Sequence, residues 1–584
     1  MNMSYINFKS EYDKYPETAV EGFEKEAVSG WKGIVSFLKE KLKTEKVLVT
    51  DCYPGVNDEE LFENLKNTAD FDLTVKSDDI FYDGDKLTEM MKPFLTDDRV
   101  RGIYYYGTVN DFIDKDKLEE AKIEVKEAIS NGKKVFIYGF GASLVCDKGL
   151  LVYADMTRWE IQLRYRKGMP NYKQKNYKED SLRKTKRGYF VEWRIADRHK
   201  EELYDRIDYY LDTEVPNEPN MVCGEGLRAG LRKLTSKPFR MVPYFDPGVW
   251  GGQWMKEVCG LDPSEKNYAW SFDGVPEENS IFLRFGDVRV ASPTMNLTKY
   301  LPREFLGEKT FSRFGAEFPI RFDFLDTMEG QNLSLQVHPL TEYIHKKFGM
   351  AYTQDESYYI LDCQKEGGVF LGLKEGIDPK EMIADLKEAQ KGKVKFDDKK
   401  YVNFFKAKKF DHYLIPAGTV HCSSSDCMVL EISATPYNFT FKLWDWDRLG
   451  LDGLPRPIHI EDGEKVIQFN RTTEWVKKNL VNNFQVLHED ENYKETRTGL
   501  HEYEFIESRV YDINTEVTFN SNGEFCMCNL VDGKKAIIES KDNRFEPYEV
   551  HYAETFIIPA KAGDVIIKPA DDQPVKVIKA NVRY

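Results

Sequence analysis

Four residues in the middle of the chain have the types and spacing to do chemistry. The segment NLSLQVHP, residues 332–339, reads as a strand. Side chains on a strand alternate between faces, so Leu333, Leu335 and Val337 share one face and Ser334, Gln336 and His338 the other. That second face sets a carboxamide oxygen beside an imidazole, as a cation requires. Glu356 in DESYYIL and His421 in IPAGTVH are the next candidates; Pro416 and Gly418 form a turn that aims the histidine back. Two imidazoles, a carboxylate and a carboxamide suit one Zn²⁺ per chain, and also Mn²⁺, Fe²⁺, Co²⁺ or Ni²⁺. An open coordination position would polarise a carbonyl or hydroxyl oxygen. A single strand histidine is more often a core residue, and PxGxxH alone is weak. The ordered combination is what argues for convergence.

Such a set needs a β framework to hold it. From about Pro238 to His459 short strand-like runs alternate with turn signals, among them FPIRFDFLDT, GGVFLGL and MVLEIS, as in a barrel or sandwich. One helix interrupts them near 376–395, with Asp378 as N-cap and Pro379 in the first turn. A further β-rich part runs to Tyr584; its PAKAGD turn lacks a following histidine, so no second metal site is expected there. The first part is different: KVLVT and KKVFIYGFG alternate with charged helical stretches, the longest ending at Asn131-Gly132, which implies a largely parallel sheet. The prolines of DTEVPNEPN read as a boundary. The expected division is an α/β domain over 1–215, a metal-binding β domain over 216–465 and a second β domain over 466–584.

The 584 residues carry 83 basic and 99 acidic side chains, a net charge of −16. That balance argues against general nucleic-acid or anionic-membrane binding and for a small-molecule partner. It leaves the oligomeric state open. No apolar run reaches the ~18 residues of a membrane span, and the N-terminal residues do not read as a signal peptide, so a cytoplasmic protein is expected. The nine cysteines are scattered, with Cys422/Cys427 and Cys526/Cys528 the only pairs close in sequence; this is no disulfide framework.

The β part resembles the class I (zinc-dependent) mannose-6-phosphate isomerases of the cupin superfamily. The likeness rests on YFDPGVWGGQ, LSLQVHP, ESYYILDC, PAGTVH and LEIS…LWDWDR, and runs from about Pro243 to the C-terminus. It implies two jelly-roll barrels, zinc ligands Gln336, His338, Glu356 and His421, and a phosphate-binding Ser334. The implied reaction is aldose–ketose exchange between mannose 6-phosphate and fructose 6-phosphate through a cis-enediol. Several positions depart from the family. Asp323, with Arg321 two residues earlier, stands where a phosphate-facing lysine is usual. Gln354 replaces a lysine proposed for proton transfer. Lys442 replaces an arginine and Asn438 an aspartate. With those lysines gone, Glu431 and Lys442 are the candidate catalytic groups, and Arg321, Asp323, Gln354 and Asn438 would line the substrate. The altered shell also fits a metal-binding sugar or nucleotide sensor without turnover.

The N-terminal part resembles P-loop kinases of the uridine-kinase type in a degraded form. KVLVT runs into DCYPGVNDEEL, where Asp58, Glu59 and Glu60 stand in place of the glycine, lysine and hydroxyl that hold phosphates. No phosphotransfer is expected. The GxG of YGFGAS reads as a strand-exit turn. The basic, tyrosine-rich stretch from Arg164 to Arg187 reads as a solvated face or interdomain contact, ahead of a phosphate-binding lid or a nucleic-acid patch.

Overall fold

The computed structural model describes residues 4–392, 394–434, 437–451, 453 and 456–584. They form two compact units. One joins the segment ending at Pro16 to Leu234–Asn279 and Leu301–Tyr584; the other joins Glu17–Lys233 to Ser280–Tyr300.

The second unit is α/β. Its seven-stranded sheet runs in the order Ala27–Ser29, Asn220–Cys223, Tyr209–Asp212, Leu150–Asp155, Val47–Cys52, Val135–Gly139, Leu73–Lys76. The last five of these strands are parallel to one another. Val47–Cys52 and Leu150–Asp155 are buried along their whole length, which is why they read as continuous runs without alternation. Helix Lys115–Ser130 starts at the Asp114 cap and stops before Gly132, whose φ of 75° suits glycine.

The proline-rich DTEVPNEPN does not end this unit. It connects two antiparallel strands, because Asn220–Cys223 returns to pair with Tyr209–Asp212 and helix Gly224–Thr235 follows. The unit also takes back the hairpin Ser280–Phe285/Val288–Pro293, whose first strand pairs with Glu17–Ala19. The basic stretch is a solvated face only in part: Arg166, Lys167, Lys175, Lys178 and Arg183 are exposed, but its C-terminal end is not. Lys184, Lys186 and Arg187 are buried. Lys184 donates to the carbonyls of Met169 and Tyr177, each at 2.9 Å, Lys186 to those of Thr96 and Asp98, and Arg187 pairs with Glu192 at 2.6 Å. Buried cations require such partners, and a linear charge pattern does not reveal them.

The first unit is mainly β. Its six-stranded antiparallel sheet runs His412–Ile415, Asp355–Cys363, Cys427–Ala434, Arg321–Asp326, Trp270–Gly274, Tyr244–Asp246. A five-stranded sheet runs Val402–Lys406, Gly368–Leu373, His421–Ser423, Leu335–Val337, Phe441–Trp444. Helix Pro379–Gln390 is capped by the Asp378 carboxylate, which accepts from the amides of Lys380 and Glu381. Towards the C-terminus a six-stranded and a four-stranded sheet share a core that includes Cys528, Leu530, Phe556, Val565 and Val577. All nine cysteines are free thiols. Cys363 and Cys427, remote in sequence, lie opposite each other on adjacent strands with their sulfurs 3.3 Å apart.

Candidate metal centre

Strand register assembles the site. On the six-stranded sheet Arg321, Ser433 and Glu356 stand in one cross-strand row, and Asp323, Glu431 and Tyr358 in the next. Directly paired residues point to the same face, so all six share it. On the five-stranded sheet Gln336 pairs with His421 on one side and Lys442 on the other. The regular ladder covers only Leu335–Val337, with Ser334 and His338 just outside it.

The His338, Glu356 and His421 side chains are at most 1% exposed. Their donor atoms all lie within 4.8 Å of one another. Glu356 Oε2 is 3.0 Å from His338 Nε2, and Glu356 Oε1 is 2.8 Å from His421 Nε2. The other ring nitrogens are committed: His421 Nδ1 lies 2.8 Å from the Thr419 carbonyl and His338 Nδ1 3.2 Å from that of Phe439. His338 Nδ1 also lies 3.0 Å from the Thr440 hydroxyl; with Nδ1–H donated to these oxygens, each Nε2 presents its lone pair to Glu356. Accordingly both Nε2 atoms and Glu356 Oε1 are buried without a hydrogen-bond partner. Two lone pairs facing a carboxylate at this range repel one another unless a cation lies between them, and the donor set suits a borderline divalent ion. Burial pushes the His421 imidazole below its usual pKa despite Glu356. Burial would raise the Glu356 carboxyl, but the two imidazoles hold it well below its usual range. Both shifts favour the deprotonated forms of His421 and Glu356, as a metal requires.

The PAGTVH turn is locked on three sides. The Gly418 amide donates to the His338 carbonyl at 2.9 Å. With φ at +89° and Gln468, Leu340 and Val466 atoms within 3 Å of where a Cβ would stand, only glycine fits. Asp355 Oδ1 accepts from the Ala417 amide at 2.8 Å. Buried Arg471 donates to the carbonyls of Pro416 and Ala417, both at 2.7 Å, and to the Thr419 hydroxyl. Arg471 and Asp355 were missed from the sequence, since neither sits in a pattern that points to this turn.

The remaining candidates separate. Gln354 orients a ligand: its Nε2 donates to Glu356 Oε2 at 3.0 Å and its Oε1 accepts from the Phe439 amide at 3.2 Å. Asp323 pairs with Arg321 at 3.3 Å, and burial lifts its carboxyl to about 6. Glu431 is pushed well above the carboxylate range by burial, then by the charges of Glu356 and Asp323. Lys442 is half-buried on the Gln336 row, whereas Asn438 is exposed and accepts from the Thr440 amide. Ser334 donates to Asp445 at 2.6 Å and accepts from Arg456 at 3.1 Å; Arg448 and Arg456 both pair with Asp445, at 2.7 and 3.0 Å. Arg456 was also missed, since nothing in LPRP marks it as part of the site.

The comparisons divide along the chain. Residues 30–236 match a family model described as a domain of unknown function, DUF8485. The mannose-6-phosphate isomerase ManA of Bacillus subtilis is 23% identical over 344 residues, 58% of this chain and 94% of that protein. The mannose-6-phosphate isomerase of Streptococcus mutans is 25% identical over 235 residues, 39% of this chain and 68% of that one. These relatives are mannose-6-phosphate isomerases. A crystal structure of the mannose 6-phosphate isomerase from Bacillus subtilis aligns with a TM-score of 0.49 at 19% identity, covering 59% of this chain and all of that one.

Proposed function

We propose that the β unit is a metal-dependent aldose–ketose isomerase that interconverts mannose 6-phosphate and fructose 6-phosphate on a cupin-type barrel. The observation that carries this is the convergence of the buried, unpartnered Nε2 atoms of His338 and His421 on the Glu356 carboxylate. His338, Glu356 and His421, with Gln336 beside them on the ladder, would hold one Zn²⁺. When bound, the ion supplies positive charge that stabilises negative charge developing on a sugar oxygen. The relatives' names support this choice of reaction.

The chain's own groups supply the rest. Glu431, whose proton affinity burial raises, would as its carboxylate take the proton from C2 and return it to C1, while a hydroxyl proton passes from O2 to O1. Lys442, on the row of Gln336 and His421, offers a positive charge to the same face. Ser334, Arg456 and Arg448 are the phosphate-binding group in this reading. They provide the cations that Asp323, already paired with Arg321, does not. Arg321 and Asp323 then set the polarity of the wall, Gln354 holds Glu356, and exposed Asn438 has at most a peripheral contact with substrate. The α/β unit is a P-loop-like scaffold without a phosphate loop.

A coupled assay of fructose 6-phosphate formation from mannose 6-phosphate tests the reading. It predicts turnover that is lost in His421→Ala and on chelation. Gln354, which cannot titrate where a proton-transferring lysine was expected, favours a second reading: a sugar sensor that binds metal and ligand without turnover. Bound metal and sugar phosphate with no product would select it.

A further inference from the structure

The thiols of Cys363 and Cys427 have no part in the isomerase reading, yet the six-stranded sheet sets them directly opposite each other, with their sulfurs 3.3 Å apart. The Cys427 amide donates to the Thr327 hydroxyl at 3.0 Å, and its carbonyl accepts from the Thr327 amide at 2.9 Å. Both backbone groups therefore point away from Cys363, and the two cysteines form the closer, non-hydrogen-bonded kind of antiparallel pair. Such pairs have Cα atoms about 4.5 Å apart, within the ~4.4–6.8 Å that a disulfide spans. The next pair along is the hydrogen-bonded kind: the Gln364 amide donates to the Asp426 carbonyl at 2.9 Å, and Lys365 pairs with the Asp426 carboxylate at 2.8 Å. The backbone thus holds the two sulfurs within reach of a covalent bond, and rotation of the side chains closes the gap.

Their surroundings give the two thiols different roles. Cys363 is half-buried, whereas Cys427 is fully buried. The hydrogen bond from Cys427 holds the Cys363 thiol below its usual pKa, against the opposing effects of burial and of Asp362, Asp426 and Asp411. The same hydrogen bond, with burial, pushes the Cys427 thiol well up. Cys363 is thus the sulfur that meets an oxidant as a thiolate, and Cys427 the one that follows. The other close pair, Cys526 and Cys528, lies on a single strand with sulfurs 3.8 Å apart, and both are buried. Cys223, the other partly exposed thiol, belongs to the α/β unit. Access from solvent and a partner sulfur coincide at Cys363.

We propose that Cys363 and Cys427 are a site of reversible oxidation, closing to a cross-strand disulfide when a hydroperoxide is present. The Cys363 thiolate attacks the O–O bond and becomes a sulfenic acid; the other oxygen leaves as hydroxide, which with the proton Cys363 gave up is the first water. The Cys427 sulfur then attacks Cys363, the S–S bond forms as the S–O bond breaks, and the Cys427 proton leaves with that oxygen as the second water. Two thiols lose two electrons, and hydrogen peroxide takes them up. The bond closes a loop over residues 364–426, which carries His421, and so restrains that segment in the unfolded chain. The site does not depend on the isomerase reading. Peptide mapping by mass spectrometry tests it on the full chain, treated with hydrogen peroxide in the presence of a metal chelator, then denatured and alkylated. A peptide linking Cys363 to Cys427 should appear, and alkylation of both should fall by about tenfold or more, while Cys526 and Cys528 keep their labels. Dithiothreitol should restore both thiols. Dimedone should trap a sulfenic acid on Cys363 in Cys427→Ser and none on Cys427 in Cys363→Ser. Oxidation should also raise the midpoint of chemical denaturation, a rise absent from Cys363→Ser; an oxidised midpoint no higher than the reduced one would overturn the bracing of the loop. Absence of the linked peptide from the parent chain, failure of dithiothreitol to reverse it, or dimedone on Cys427 instead of Cys363 would overturn the proposal.

Discussion

Replacing Arg471 by methionine separates the geometry of the metal centre from its ligands. Arg471 is 6% exposed, and its guanidinium donates three hydrogen bonds to the turn that carries His421 without bonding to any of the proposed ligands. A hydrogen bond to a charged group contributes about 1.5–3 kcal/mol. The Pro416 carbonyl keeps the Thr419 amide and hydroxyl as donors, at 3.2 and 2.7 Å, so the main loss falls on the Ala417 carbonyl. The expected destabilisation is therefore about 2–4 kcal/mol, well short of the three bonds at full value. Because outer partners of metal ligands typically govern 10–100-fold in affinity, Zn²⁺ binding should weaken by about that factor. Competition with a chromophoric chelator measures the affinity, and chemical denaturation measures the stability. Arg471→Lys, which keeps the charge but loses the fork, should fall between. If Arg471→Met loses stability while its metal affinity stays within about twofold of the parent, the positioning argument is wrong and the arginine only braces the fold.

Other consequences follow from the same geometry. Glu431→Gln should lower kcat by about 10²–10⁴ with metal content unchanged; unaltered turnover would remove Glu431 from proton transfer. Arg456→Met should raise the KM for mannose 6-phosphate by about tenfold, roughly 1.4 kcal/mol, while kcat falls less; steady-state kinetics would show the opposite split if Arg456 served the proton step. His412 is fully buried with both ring nitrogens unpartnered, and burial pushes its pKa down to about 3. An unfolded histidine titrates near ~6.5. Between those values the unfolded chain takes up a proton that the folded one refuses, so stability should fall as pH drops through this window, by at most ~1.4 kcal/mol per unit. His412→Phe should flatten that slope in denaturation at pH 5 and pH 7.5, and an unchanged slope would refute the assignment.

The candidate triad His338, Glu356 and His421, which the structure brings together, was picked out in the sequence because strand alternation and turn signals are local. Alternation set Gln336 and His338 towards one face, and PxGxxH marked the turn at Gly418, whose φ is +89°. Helix Pro379–Gln390 was legible for the same reason: its cap and first-turn proline are adjacent in the chain. What escaped depends on partners far away in sequence. Arg471 and Arg456 acquire roles only through contacts with the Pro416–Thr419 turn and with Ser334 and Asp445. The prolines after Tyr209–Asp212 gave a boundary signal, but the hydrogen bonds of the returning strand Asn220–Cys223 override it. The basic stretch misled only at its C-terminal end, where Lys184 and Lys186 are satisfied by backbone carbonyls, which no charge pattern reports.

X-ray absorption at the zinc edge of the purified, zinc-loaded chain addresses the central claim most directly. The account predicts one ion per chain with nitrogen and oxygen neighbours at about 2.0–2.2 Å, no sulfur neighbour, and loss of the ion in His421→Ala. A sulfur shell at about 2.3 Å, or full zinc retention by His421→Ala, would contradict it.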